Sequence, residues 1–265
     1  MLNSKFLFEK IAEMEIQYAS DLHIEFPQNK EFLKKHPLVP EGDVLVLAGD
    51  IVPFAVVDKH MDFFSYLGDH FEMTYWLPGN HEYYYFDLAE KSGVLKEKIR
   101  SNVVLVNNIS EVHGAARLIF STLWTKISPA NQWQIERRLN DFYLIKYKGR
   151  QFSSEQYNQL HQESLAFIRN TLTDTTEEKT VVFTHHCPTF LNYPEKYKGD
   201  VLNEAFAVEL FDWIETSNID YWVHGHHHSN TLEFAIGRTR LLTNQLGYVQ
   251  ENEHGLFETN RCIDL

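Results

Sequence analysis

The chain has 265 residues, 43% of them apolar and 23% charged, and its 37 acidic against 24 Lys and Arg side chains give a net charge of −13. This is the balance of a globular protein with a substantial core, and it argues against long nucleic acid as a partner, because counterion release needs a basic surface. With only two cysteines, Cys187 and Cys262, a disulfide framework is excluded and a reducing, cytoplasmic setting is expected.

Residues 1–13 mix Lys5, Glu9 and Lys10 with the short apolar run Phe6-Leu7-Phe8. That run is too short and interrupted for a signal peptide, so a helical extension over 1–13 and a single domain over 14–265 are expected. No stretch reaches the roughly 18 apolar residues of a membrane span, and no membrane partner is expected. In chain order, short apolar runs predict buried strands at 15–19, 44–48, 74–77, 103–106, 117–122, 180–184 and 221–223. Helical patterns are read at 86–100, at 153–172 and at 203–216. The second opens on Ser153 with Gln156 three positions on, a capping box. The third carries Phe206, Leu210, Trp213 and Ile214 on one stripe. Toward the C-terminus, runs at 231–236 and 239–243 flank Gly237 as a hairpin, and 256–259 reads as a further strand. Strands alternating with helices and closing on a hairpin predict an α/β domain.

The chemistry-bearing residues fall at the carboxyl ends of these strands. Asp21 and His23 follow the first, Asp50 the second and Asn80 with His81 the third. His185 and His186 follow the strand at 180–184, and His226 with His228 follow the one at 221–223. That edge is where open α/β sheets bind ligands. Imidazole and carboxylate together suit divalent ions such as Mn, Fe, Zn or Ni. On extended backbone, Asp21 and His23 would point the same way, as would His226 and His228. Asp21, His23, Asp50, Asn80, His185, His226 and His228 are too many ligands for one tetrahedral ion; two ions sharing Asp50 would use them all.

In order, Asp21-Leu-His23, Gly49-Asp50, Gly79-Asn80-His81-Glu82, His185 and Gly225-His226-His227-His228 resemble the five signature blocks of calcineurin-like metallophosphoesterases. The resemblance implies two packed mixed β-sheets flanked by helices, an α/β/β/α sandwich. It implies one ion on Asp21, His23, Asp50 and His228 and a second on Asp50, Asn80, His185 and His226. A hydroxide bridging the ions would attack the phosphorus of a small phosphate ester, with His81 steadying the transition state and protonating the leaving oxygen. In some branches of the family an Asp a few residues after the bridging one supports the catalytic His. Here Ile51, Val52 and Pro53 follow Asp50, which leaves open whether His81 has another carboxylate partner, such as Glu82 or Asp58.

Blander readings stand beside these. His224 and His227 bracket His226 and are expected to point away, into packing. His186 either lines the substrate side or packs, and Cys187 reads as a small buried residue. Tyr83 to Tyr85 either stack on a substrate or wall the cleft, Asn244 borders the site without an assigned role, and Arg137 and Arg138 sit on a polar insert at 128–152. No residue is assigned to bind substrate. A diester or small nucleotide-like substrate is favoured, because no docking tail suggests a protein substrate. Phosphomonoester, protein phosphatase and nuclease activities are rivals within the same chemistry. A metal-binding scaffold without catalysis is a rival outside it, as is an amide hydrolase.

Overall fold

Alternation along the apolar strands decides the architecture. In the computed structural model, which describes residues 14–174 and 179–265, the expected strands form two six-stranded sheets; the extension expected over 1–13 lies outside the described residues. The first sheet contains β1 (Glu15–Ala19), β2 (Val44–Ala48), β3 (Met73–Leu77), β4 (Leu95–Arg100) and β5 (Val103–Asn107). The second takes β6 (Ile109–His113) and β7 (Ala116–Ser121), and β8 (Lys146–Tyr147) pairs separately with β9 (Arg150–Gln151). β10 (Lys179–Thr184), β11 (Tyr221–Val223), β12 (Phe234–Ile236) and β13 (Thr239–Leu242) complete the second sheet, and β14 (Cys262–Asp264) returns to the first. The strand orders are β14-β1-β2-β3-β5-β4 and β12-β13-β11-β10-β7-β6. Each sheet has four parallel central strands and an antiparallel strand at either edge.

Because successive side chains point to opposite faces, each central strand feeds two cores. Ile16, Tyr18, Val46, Leu77 and Val104 meet Leu118, Phe120, Val181 and Phe183 between the sheets. Leu45, Leu47, Trp76 and Leu105 face outward on the first sheet, and Ile119, Val182, Trp222 and Leu241 do so on the second. Strands buried on both faces read as unbroken apolar runs, which is why they were legible. The helices are α1 (Pro27–Lys35), α2 (Met61–His70), α3 (Gln132–Arg138), α4 (Asp141–Leu144), α5 (Ser154–Thr171) and α6 (Phe211–Glu215). The α5 capping box of Ser153 and Gln156 is present. The result is the expected α/β/β/α sandwich.

Three expectations fail locally. The helix read over 86–100 is a 3₁₀ turn followed by edge strand β4. Gly93 takes φ 73°, and from Leu95 onward burial alternates with period two. The helix read over 203–216 is split, because Cys187 and Ala207 form a bridge and the amide of Val208 donates to Cys187 O at 3.0 Å. Only α6 remains α-helical there. Residues 256–259 form no strand; a 3₁₀ turn ends at Leu256, and the strand lies later, at β14.

Candidate dinuclear metal centre

The candidate ligands leave their strands through bends. Asp21 (φ 56°), His23 (φ 44°), Asp50 (φ 57°), His226 (φ 79°) and His228 (φ 49°) all occupy the left-handed region. This overturns the extended backbone expected for Asp21/His23 and His226/His228: the paired side chains do meet at the centre, yet by curling rather than by strand alternation. Such a conformation costs of order 1–3 kcal/mol at a non-glycine residue and persists only where surroundings over-determine it. They do so here. The amide of Asp21 donates to Gly49 O and that of His23 to Asp50 O, both at 2.9 Å. The amide of His226 donates to Asp21 Oδ1 at 3.0 Å and that of His228 to Gln245 Oε1 at 2.8 Å. Glycine permits the close approach of these turns: a Cβ on Gly79 would overlap Asp50 Oδ1 and the His185 ring, and one on Gly225 would overlap Asp21 Oδ2.

All seven side chains converge in two half-sites that share Asp50. In the first, His23 Nε2 lies 3.0 Å from His228 Nε2 and 3.7 Å from Asp50 Oδ2, while His228 Nε2 lies 3.4 Å from Asp21 Oδ1. In the second, His185 Nε2 lies 3.0 Å from His226 Nδ1, 3.2 Å from Asn80 Oδ1 and 3.4 Å from Asp50 Oδ2. Donor atoms about 2.0–2.2 Å from a tetrahedral ion stand about 3.3–3.6 Å apart, so the spacing fits divalent cations. His226 and His228 therefore serve different half-sites.

The electrostatics match that reading. Burial alone would lower the His228 and His185 pKa values. Contacts with Asp21 and Glu253 instead raise His228 to about 10, and Asp50 raises His185 to about 9. His23 and His226, also buried, are pushed below the ordinary imidazole value. Each half-site thus pairs an imidazole whose pKa is raised with one whose pKa is lowered, so the surroundings favour positive charge there. His185 Nδ1 donates to Ala48 O at 3.1 Å, and the buried Nε2 of His226 has no partner.

Glu25 and Glu253 were missed from sequence, and Glu82 and Asp58, the candidates named for His81, lie elsewhere. Glu25 Oε1 lies 3.4 Å from His23 Nδ1 and 3.7 Å from His81 Nδ1, so the partner of His81 is Glu25, not Glu82 or Asp58. Burial would raise the Glu25 carboxyl, yet its contacts with His23 and His81 hold it down at about 2. Glu82 is buried and accepts from the amides of Asp50 (2.9 Å), Ile51 (2.7 Å) and Gly79 (2.7 Å) and from the Trp76 indole (3.0 Å); it ties together the turns after β2 and β3. Asp58 is exposed. Glu253 Oε2 lies 2.8 Å from His228 Nδ1. The spacing Asp21-x-His23-x-Glu25 was a readable signal for the first; Glu253, 25 residues past His228, offered none.

His81 donates its amide to Asp50 Oδ1 at 2.9 Å, and its ring lies 4.6 Å from His23 and 4.1 Å from Tyr84. His224 and His227 point away and gather around Cys187, whose thiol burial pushes up to about 12. His186 packs 4.3 Å from the His226 ring and lies 3.1 Å from Thr122 O. Tyr83 is core, Tyr84 lines the cleft and Tyr85 is exposed. Asn244 bonds Tyr18 O and Glu258 O and so braces β1. A cavity of about 370 Å³ opens over the centre, and its lining includes Arg138, Tyr193, Tyr197, Phe206 and Tyr248. Arg138 forms a two-pronged pair with Asp200, at 3.0 and 2.9 Å.

Fold, candidate ligands and cleft together fit a metal-dependent hydrolase, and comparison with known proteins places the chain in such a family. The model of the calcineurin-like phosphoesterase family matches residues 14–230, and the chain belongs to that family. It is 32% identical to the uncharacterized protein L509 of Acanthamoeba polyphaga mimivirus, over 94% of this chain and 96% of that protein. Its fold is similar to that of a phosphopantetheinyl hydrolase from Mycobacterium tuberculosis, with TM-score 0.68, 17% identity and coverage of 95% and 96% of the two chains. A dimetal phosphatase from Danio rerio shares the fold at TM-score 0.50 and 15% identity, with 88% and 87% covered. The protein is a metal-dependent phosphoesterase. Among the described residues no helix is long and apolar enough to cross a membrane.

Proposed function

We propose that the chain hydrolyses a phosphodiester or small nucleotide-like ester, with one cation on Asp21, His23, Asp50 and His228 and a second on Asp50, Asn80, His185 and His226. The observation that carries this reading is the cleft. Besides the ligands Asp50, Asn80, His226 and His228, its lining includes Arg138, Leu139, Tyr193, Tyr197 and Asp200, which leaves space for a second substituent on phosphorus. The M. tuberculosis neighbour, named for a phosphopantetheinyl group, is in keeping with a substrate larger than a simple monoester. Imidazole, carboxylate and one amide oxygen suit Mn, Fe, Zn or Ni. Bound cations supply Lewis-acid stabilisation of the phosphoryl oxygens and a water acidic enough to attack at neutral pH.

The protein's own part is orientation and proton transfer. Glu25 and Glu253 aim the imidazoles of His23 and His228, as carboxylates behind metal-bound histidines do. His81 stands at the cleft with Glu25 behind it, and its pKa is raised: Asp50 and Glu25 outweigh the opposing effect of burial. It is therefore the group that gives the leaving oxygen its proton. Both cysteines are free, in keeping with a reducing cytoplasm.

The test is turnover of bis-p-nitrophenyl phosphate and a cyclic-nucleotide panel against p-nitrophenyl phosphate, after chelation and Mn add-back. Diesters should be preferred. Cleavage of monoesters alone overturns the substrate class while leaving the metal chemistry intact.

A further inference from the structure

A carboxamide presents an oxygen edge and an NH₂ edge of nearly the same shape, and only the oxygen can bind a cation. Something must therefore decide which edge of Asn80 faces the second half-site. Asn80 Oδ1 lies 3.2 Å from His185 Nε2, and its Nδ2 donates to Asp141 Oδ1 at 2.8 Å. The Tyr84 hydroxyl donates to that same carboxylate oxygen at 2.9 Å. We propose that Asp141 is the positioning residue that locks the Asn80 amide with its oxygen toward the second metal position, an inference that rests on Asn80 being a ligand there.

Asp141 opens α4 on the 128–152 insert, is 1% exposed, and leaves its other oxygen, Oδ2, buried without a partner. An incompletely paired buried carboxylate destabilises a fold, so packing is a poor explanation for it. An acceptor at this place has a specific effect: a flipped amide would set oxygen against oxygen, while the observed orientation sets N–H against oxygen. Tyr84 occupies the remaining accepting capacity of Oδ1, and its ring packs on His81 at 4.1 Å. An insert that supplies no candidate metal ligand thus fixes the orientation of one and, through Asp141, holds the Tyr84 hydroxyl beside His81.

The experiment is Mn²⁺ titration of the metal-free full chain, followed by calorimetry and by the spin-coupled signal of a dinuclear centre. Wild type should bind two ions. Asp141→Leu should weaken the second by about 10–100-fold, the range for contacts that orient a ligand, and leave the first unchanged. Asp141→Asn, whose oxygen can accept the same two bonds, should keep both. The deciding variant is the double mutant Asn80→Asp/Asp141→Leu, because a carboxylate presents oxygen on either edge and needs no orienting partner; it should recover the second ion. Full second-ion affinity in Asp141→Leu overturns the proposal, and so does failure of the double mutant to recover it, which would mark Asp141 as a support of the fold. If wild type binds fewer than two ions, Asn80 is not a ligand, and the underlying reading fails first.

Discussion

The two half-sites share Asp50 and are built differently behind it. In the first, both imidazoles have a carboxylate at the far nitrogen, Glu25 behind His23 and Glu253 behind His228, and Asp21 adds a further carboxylate to the ligands. In the second, His185 leans on the carbonyl of Ala48, His226 stacks on Phe206 at 4.3 Å, and Asn80 contributes a neutral amide. Anionic charge is concentrated on one side. Since a buried cation gains most where charge is densest and least screened, the first half-site should fill at lower metal concentration and exchange more slowly. The second should be the one that loses its ion during purification.

The largest effect should come from removing what the halves share. Asp50→Ala should weaken both ions together and lower kcat by more than about 100-fold, above the usual range for contacts that merely orient a ligand. His226→Ala should instead reduce the metal content of the Mn-reconstituted protein from two ions to one. Metal analysis of both variants checks this. Two ions retained by Asp50→Ala would remove the bridge from the description.

A smaller effect separates the halves by their supports. Glu253→Gln keeps an acceptor near His228 and removes the charge, so the first ion should weaken by about 10–100-fold while the second is less affected. Competition with a chelator of known affinity reads this directly. Equal weakening of both ions would mean that the contrast between the halves has no energetic weight.

How much of this could be read from sequence follows the same divide. Strands buried on both faces, such as Val44–Ala48, announce themselves as unbroken apolar runs, and the candidate ligands follow the strand ends within one to five residues. The cluster of candidate ligands was therefore legible, along with the sandwich. The supporting groups were not. Glu253 and Asp141 come from segments without apolar periodicity, and they reach the centre only because distant loops fold over it. Helix α1 escaped notice because just Asn29 and Leu33 of its residues are buried, too few to make a stripe. The backbone turn at Asp21 and His23 was misread for a related reason: hydropathy reports which face is buried, and it carries no information about a left-handed residue held by tertiary hydrogen bonds.

The smallest predicted effect concerns protons and sharpens the comparison at the level of charge. In the metal-free protein, His228 is raised from its ordinary value of 6.5 to about 10, and His185 from 6.5 to about 9. A group whose folded pKa is raised stabilises the fold fully below its unfolded value, and that stability is lost as pH rises through the folded value. Metal-free protein should therefore become easier to unfold between pH 6.5 and about 9–10, with His228 extending the window at its upper end. With metal bound, each cation replaces a proton, and the dependence over that window should flatten. At pH 7.5 binding should release roughly one proton per ion, measurable by calorimetry in buffers of different ionisation enthalpy. In Glu253→Gln the His228 value should fall, because an acidic contact has been removed, and proton release in the first half-site should shrink while that in the second persists. Proton release unchanged by Glu253→Gln would show that Asp21 alone holds the His228 imidazolium, and the asymmetry between the halves would then reside in the ligands rather than in the carboxylates behind them.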